Sequence, residues 1–247
     1  MSGAGWRAWL AGALKSKDQR VLARRAVPDE LWADAVRSHP FVAARPAHEL
    51  AQLRKLVSHF LDQKEFHAVQ PLALSDEMAL SVAVQACLPV LHLGLDQYDG
   101  FVGIVMQAGA VTAPREEMDD IGIVHNYEQE LAGEAMDGGP LMLSWQDVQR
   151  ASLATDAEEP AYNVVIHEFA HVLDLRDGAA DGTPLLPNDA ARSHWQSVLQ
   201  SEFDYFRERV VCGHDTVIDP YGAESIDEFF AVASEAFFVA PRSLKEE

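Results

Sequence analysis

The segment from Asn163 to Asp174 reads NVVIHEFAHVLD, and it constrains the fold more than any other stretch of the chain. Apart from two histidines and one glutamate, residues 164–173 are apolar, so a helix over this segment is apolar nearly all round and should be buried. Asn163 is a good helix N-cap, and Pro160 stands just before it. The sequence therefore predicts a capped helix inside the core.

Three polar side chains on this predicted helix form an HExxH pattern. His167 and His171 are four residues apart, which places both imidazoles on one helix face, about one turn from each other, where they can hold a single metal ion. Glu168 projects about 100° away and can reach a water molecule on that metal. The alternative is a pair of core histidines bonded to backbone carbonyls. A metal ion is favoured because it supplies partners for buried polar groups.

A catalytic zinc normally takes three protein ligands and leaves its fourth position to water, so another part of the chain must supply the third ligand. Asp177 lies six residues after His171, but the turn that brings such a residue back needs a glycine where Asp174 stands. Asp177 is therefore disfavoured. Glu228 and Glu235 are better candidates, because these two acidic residues lie seven apart on one face of an apolar helix.

Two of these residues keep a second interpretation. The sequence SIDE at 225–228 reads as a capping box, in which the Glu228 side chain would reach back to the start of its own helix. Asp174, one turn beyond the second histidine, either orients an imidazole from behind or lies in solvent near the helix end.

The remaining pattern indicates an α+β protein, because helices precede and follow a stretch of short strands. Apolar positions at helical spacing predict helices around 50–61, 78–87 (with Ser75 as N-cap), 195–210 and 225–239. Short apolar runs with β-branched residues predict strands at 101–106, 121–124 and 141–143. The first of these is a candidate edge strand for an extended peptide substrate.

Composition excludes several other classes of protein. The chain has 19 basic and 39 acidic residues, a net charge of −20, with no basic stripe, so direct nucleic-acid binding is not expected. No run approaches the ~18 apolar residues of a membrane span. The only cysteines, Cys87 and Cys212, form no metal-binding or disulfide pattern. A cytoplasmic location is expected.

Motifs along the chain, of which the HExxH helix is only one, carry a family resemblance. They are KEF at 64–66, DEM at 76–78, QACLP at 85–89, LGLD at 93–96, GEA at 133–135, LSW at 143–145, VVIHEFAH at 164–171, DG at 177–178, DGTP at 181–184, DPY at 219–221 and EFFAV at 228–232. With these motifs the chain resembles the Mlc titration factor A family of bacterial zinc metallopeptidases, over about residues 45–245. The site is also similar to that of the catalytic domain of anthrax lethal factor.

The resemblance implies a role for particular residues. At matching positions, His167 and His171 are metal ligands, Glu228 is the third ligand and Glu168 is the catalytic glutamate. Tyr221, seven residues before the third ligand, matches a tyrosine that assists at the reaction centre; its other interpretation is a turn residue that packs its ring.

The resemblance also implies the fold and the activity. It indicates a zincin-like metallopeptidase domain, mostly helical with a small mixed sheet, over 46–247, preceded by a loosely matching helical segment over 1–45. It implies one zinc per chain, a peptide substrate and aminopeptidase-like cleavage. The alternative is a non-catalytic regulator that binds and sequesters a transcriptional repressor.

Overall fold

The computed structural model describes residues 18–118, 124–131, 133–135, 139–152 and 160–246. Residues 18–24 are helical. The later α-helices are α1 (Asp29–Ser38), α2 (Pro40–Ala43), α3 (Ala47–Gln63), α4 (Asp76–Cys87), α5 (Trp145–Ser152), α6 (Val164–Asp174), α7 (Asp189–Val211), α8 (Ile226–Val239) and α9 (Pro241–Glu246). Short 3-10 turns cover Leu95–Tyr98, Leu175–Asp177 and Pro220–Ala223. None of the helices in these ranges is long and apolar enough to cross a membrane.

Four strands form the central sheet, in the order β1 (Glu65–Ala68), β2 (Gly103–Gln107), β6 (Leu141–Ser144) and β5 (Gly133–Ala135). Strands β1, β2 and β6 run parallel, whereas β5 pairs antiparallel with β6. The small mixed sheet between helices confirms the predicted α+β class.

The sheet order corrects one expectation. Strand β2, which covers most of the predicted strand at 101–106, is hydrogen-bonded on both sides, by β1 and by β6. It therefore offers no free edge to a peptide. The edges of the described sheet are β1 and β5, because each pairs with a single neighbour there.

Outside this sheet, β3 (Val111–Met118) pairs antiparallel with β4 (Val124–Leu131), from Val111 opposite Leu131 to Met118 opposite Val124. Of the strand predicted at 121–124, residues 121–123 lie outside the described residues.

Helix α6 lies in the largest hydrophobic cluster of the described residues, as its sequence predicts. Its Phe169 ring is fully buried and packs edge-on against Tyr98, with the ring centroids 4.8 Å apart. Phe60 and Phe101 complete this aromatic group, 5.7 and 5.8 Å from the Phe169 centroid. These contacts fix the rotation of α6 about its axis and therefore the direction in which its histidines point.

Candidate metal centre

Helix α6 presents both histidines to the same point. Asn163 caps the helix, since its Oδ1 accepts a hydrogen bond of 2.9 Å from the backbone N–H of Ile166. One turn apart on the helix, His167 and His171 bring their Nε2 atoms to 3.2 Å from each other. The predicted N-cap and the shared helix face are both present.

Glu228 comes from the first turn of α8. Ser225 caps this helix by accepting a hydrogen bond of 3.4 Å from the backbone N–H of Glu228. The Glu228 carboxylate extends to the histidines, with Oε2 3.1 Å from His167 Nε2 and 3.4 Å from His171 Nε2. Half of the capping-box interpretation thus holds, because the serine caps the helix while the glutamate side chain points to the metal centre.

Glu235, the other candidate for the third ligand, lies behind His167. Its Oε1 is 2.8 Å from Nδ1 of that ring, on the side away from Glu228. The pattern of two acidic residues on one helix face made both of them candidates for the third ligand, but it could not separate a residue that faces Nε2 from one that faces Nδ1.

The donor set suits a small cation. A neutral His167 that donates through Nδ1 carries a lone pair on Nε2. Oε2 of Glu228 is buried and receives no well-directed hydrogen bond from the described residues. Atoms held 2.0–2.1 Å from a tetrahedral centre lie about 3.3 Å apart. The separations among Nε2 of His167, Nε2 of His171 and Oε2 of Glu228 are 3.2, 3.1 and 3.4 Å.

The electrostatics favour positive charge at this point. Burial alone would lower the pKa of His167, but the adjacent carboxylates of Glu228 and Glu235 outweigh burial and raise that pKa well above its ordinary value. Burial likewise opposes ionisation of Glu228, yet the two histidines hold its pKa below the usual range. Groups that attract a proton so strongly attract a cation by the same Coulombic interaction.

Glu168 lies beside the metal centre and is 5 % exposed. Burial raises the pKa of its carboxyl to about 7, although the neighbouring histidines act in the opposite direction. Gly133, the first residue of the edge strand β5, approaches this side chain so closely that a Cβ atom there would lie 2.5 Å from Glu168 Oε1. The carboxylate therefore lies between the histidine face and the edge of the sheet.

Tyr221 lies on the outer side of the centre. Its hydroxyl donates a hydrogen bond of 3.3 Å to Glu228 Oε1, and its ring centroid is 6.2 Å from that of His167. Burial, together with nearby Glu228, raises the pKa of the phenol, so it remains a donor. The side chain is 36 % exposed, which leaves its hydroxyl within reach of a bound molecule.

Two aspartates that follow the second histidine do not join the cluster. Asp177 forms an ion pair with Arg192 and accepts a hydrogen bond from the backbone N–H of Ala179. Asp174 is fully buried and accepts a hydrogen bond of 2.9 Å from the backbone N–H of Gly182. It therefore fixes the loop after α6, and both earlier interpretations of Asp174 are wrong.

Two histidines and a glutamate around one point, with a buried glutamate beside them, are the residue set of a metallopeptidase. The chain belongs to the glucose-regulated metallo-peptidase M90 family, whose sequence profile matches residues 13–247.

Relatives extend over most of the chain. It is similar to Mlc titration factor A of Pectobacterium atrosepticum, with 38 % identity over 221 residues, 88 % of this chain and 80 % of the relative. The protein of the same name from Salmonella arizonae is 36 % identical over 217 residues, 86 % of this chain and 83 % of the relative. An uncharacterized protein of Synechocystis is 34 % identical over 230 residues, 92 % and 82 % of the two chains. These findings confirm the family resemblance predicted from the sequence.

Proposed function

We propose that the protein is a zinc-dependent peptidase with one zinc per chain, held by His167, His171 and Glu228 in a zincin-like domain over 46–247. The observation that carries this proposal is the convergence of the three ligand atoms at 3.1–3.4 Å. Two histidines and one carboxylate, with a further position left for water, are the ligands of a hydrolytic zinc site. Bound zinc would lower the pKa of its water toward neutrality and polarise the substrate carbonyl.

Glu168 is the general base of the proposed reaction. Its carboxylate, which is buried beside the two histidines, can take a proton from the attacking water and later give it to the leaving amine. Burial keeps bulk water from this carboxylate, which strengthens its interactions with the reacting groups.

Tyr221 stabilises the oxyanion. Its hydroxyl donates to Glu228 and the residue is partly exposed, so the hydroxyl can turn its hydrogen bond toward an oxygen that becomes negative during the reaction.

The edge strand β5 supports a peptide as substrate. Within the described sheet β5 pairs with β6 alone, so its outer backbone groups can pair with an extended chain. Its first residue, Gly133, lies against Glu168, so a peptide that paired with this edge would lie next to the proposed general base. We extend the proposal to aminopeptidase-like cleavage on the family resemblance; comparing peptides with free and acetylated N-termini tests this part.

We also propose that the N-terminal segment over 1–45 packs on this domain and stabilises it. Val27, Phe41 and Val42 are buried in the hydrophobic cluster that also contains α6. We expect residues 27–42 of this segment to stabilise the domain through this packing.

Elemental mass spectrometry of the purified protein tests the metal site. We expect about one zinc per chain, with zinc lost from His167→Ala and Glu228→Ala. Asp227→Asn is the matched control, because Asp227 precedes Glu228 in the same helical turn but lies outside the cluster. No zinc in the unmodified protein after reconstitution would refute the proposal.

Peptide hydrolysis tests the reaction. Glu168→Gln should keep its zinc and lose turnover, because the amide cannot accept the proton. Substantial activity in this variant would exclude Glu168 as the base.

The alternative, a regulator that captures a repressor, is favoured by the name that the relatives carry. A structural zinc site normally has four protein ligands, whereas the described cluster has three. A zinc-loaded protein that hydrolyses no peptide from a broad library would favour this alternative.

A further inference from the structure

The side of His167 that faces away from Glu228 is occupied by a buried carboxylate. Glu235 is 2 % exposed, and its two oxygens serve two different donors. Oε1 accepts from His167 Nδ1 at 2.8 Å, and Oε2 accepts from the backbone N–H of Asn163. Both donors belong to the same element, the start and second turn of α6, while the carboxylate belongs to α8.

The contacts of Asn163 continue away from the metal centre. Asn163 is fully buried, and its Nδ2 donates a hydrogen bond of 2.8 Å to Oε1 of Gln85 in α4. Gln85 is also fully buried, and its Nε2 donates to the backbone oxygen of Ser81 at 3.1 Å. Because Oδ1 of Asn163 already accepts from the helix, both amide orientations are fixed by their partners.

We propose that Glu235, Asn163 and Gln85 are positioning residues that set the tautomer and the direction of His167. The inference rests on the proposed metal site and adds residues that do not touch the metal. Both oxygens of the Glu235 carboxylate accept hydrogen bonds, one of them from Nδ1, so the ring proton stays on Nδ1 and Nε2 keeps its lone pair for the metal. Asn163 fixes the position of the Glu235 carboxylate relative to the start of α6, and Gln85 fixes the side chain of Asn163.

The chemistry at position 235 distinguishes a carboxylate from an amide. The two donors meet different oxygens of the Glu235 carboxylate, and a glutamine in the same place has only one of these oxygens, so it can accept from His167 or from Asn163 but not from both. If its NH₂ group faces the imidazole, the ring proton moves to Nε2, where it competes with the metal. If the NH₂ group faces Asn163 instead, it opposes the backbone N–H of that residue. Two buried donors without an acceptor lower the stability of the folded protein.

Zinc affinity measured by competition with a chromophoric chelator tests this inference. We expect Glu235→Gln, which has nearly the shape of the native residue, to bind zinc about 10–100-fold more weakly. Gln85→Met keeps the volume of the side chain and removes its hydrogen bonds at a distance from the metal. It should weaken zinc binding in the same direction but less.

Asp174→Asn is the matched control for the loss of a buried carboxylate. Asp174 is a fully buried carboxylate near the end of the same helix, but it bonds to the loop at Gly182 and to neither imidazole. We expect the zinc affinity of this variant to change little, because its hydrogen bond goes to the loop and not to a histidine. The absorption spectrum of the cobalt-substituted protein gives a second readout, since it should change in Glu235→Gln and not in Asp174→Asn.

The outcomes separate this inference from the proposed function. If the unmodified protein binds no zinc, the metal site itself is refuted. If the unmodified protein binds zinc and Glu235→Gln binds it equally well with the same cobalt spectrum, only the positioning role is refuted. The positioning role also fails if Glu235→Gln and Asp174→Asn weaken zinc binding equally, because the effect would then not depend on contact with His167. If Glu235→Gln does not fold, unchanged zinc affinity in Gln85→Met would refute the proposed series of hydrogen bonds from Gln85 to His167.

Discussion

At Gly133 the backbone of β5 and the Glu168 side chain leave no space for a methyl group. A Cβ atom at this position would lie 2.5 Å from Cγ and Oε1 of Glu168, so Gly133→Ala must push the carboxylate aside. A misplacement of about 1 Å at a reacting group can cost about 10²-fold in rate. We expect kcat for peptide hydrolysis to fall by about this factor while zinc remains bound, which steady-state kinetics and zinc analysis can measure.

Gly100→Ala is the control for this substitution. A Cβ atom there would meet nothing within 4 Å, so the same change in composition should leave kcat unaltered. Equal activity of the two variants would show that Glu168 can move without loss and would contradict its proposed role.

At the scale of the element, the caps of α7 and α8 provide a matched pair. Ser225 accepts from the backbone N–H of Glu228, and Asn188 accepts from that of Ala191. Replacing either cap by alanine should lower the free energy of unfolding by about 1 kcal/mol, measured by urea denaturation. Only Ser225→Ala should also weaken zinc binding, because its partner is the backbone of a proposed ligand. A zinc affinity that falls equally in Asn188→Ala would contradict this assignment.

The elements that could be predicted from the sequence are those with a strong local signal. Helices α4, α6 and α8 begin at a recognisable cap (Ser75, Asn163 and Ser225) followed by apolar residues at helical spacing. Strands β1 and β5, with the sequences EFHA and GEA, are too short and polar for such a signal. Strands β3 and β4 carry charged residues and no continuous apolar run, so their sequences do not predict strands. They are recognised only by their pairing with each other.

Some residues of the candidate site could likewise be predicted from a local pattern, and others could not. Spacing within one helix predicted that His167 and His171 share a face. The family resemblance, and not the spacing, separated Glu228 from Glu235. The contact between Glu235 and Nδ1 of His167 depends on how α8 packs on α6, which no local pattern encodes.

For the molecule as a whole, buried His39 predicts how stability depends on pH. Its Nδ1 lies 2.6 Å from the backbone oxygen of Ala35 and its Nε2 lies 3.2 Å from Ser81 Oγ, so a neutral ring satisfies both partners. Burial lowers the pKa of His39 below its ordinary value of 6.5. Below pH 6.5 the unfolded chain therefore binds a proton that the native protein does not, and stability is lost as the pH falls.

Urea denaturation between pH 8 and 5 measures this dependence, with the ordinary pKa of histidine near the middle of the range. We expect His39→Gln to be less stable at pH 8 but to lose less stability on acidification than the unmodified protein. All other titrating groups are common to the two proteins, so the difference between their slopes isolates His39. Parallel slopes would show that His39 does not contribute to acid sensitivity.

The ligands of the proposed zinc site come from two helices, α6 and α8, and the whole of α7 lies between them in the chain. A bound ion therefore acts as a reversible cross-link that closes a long loop, comparable in its topology to a disulfide. Such a closure restricts the unfolded chain more than a link between near neighbours would. Occupancy by metal would thus set how readily the segment from 178 to 224 opens, and a protease that cuts there would report the metal content of the protein.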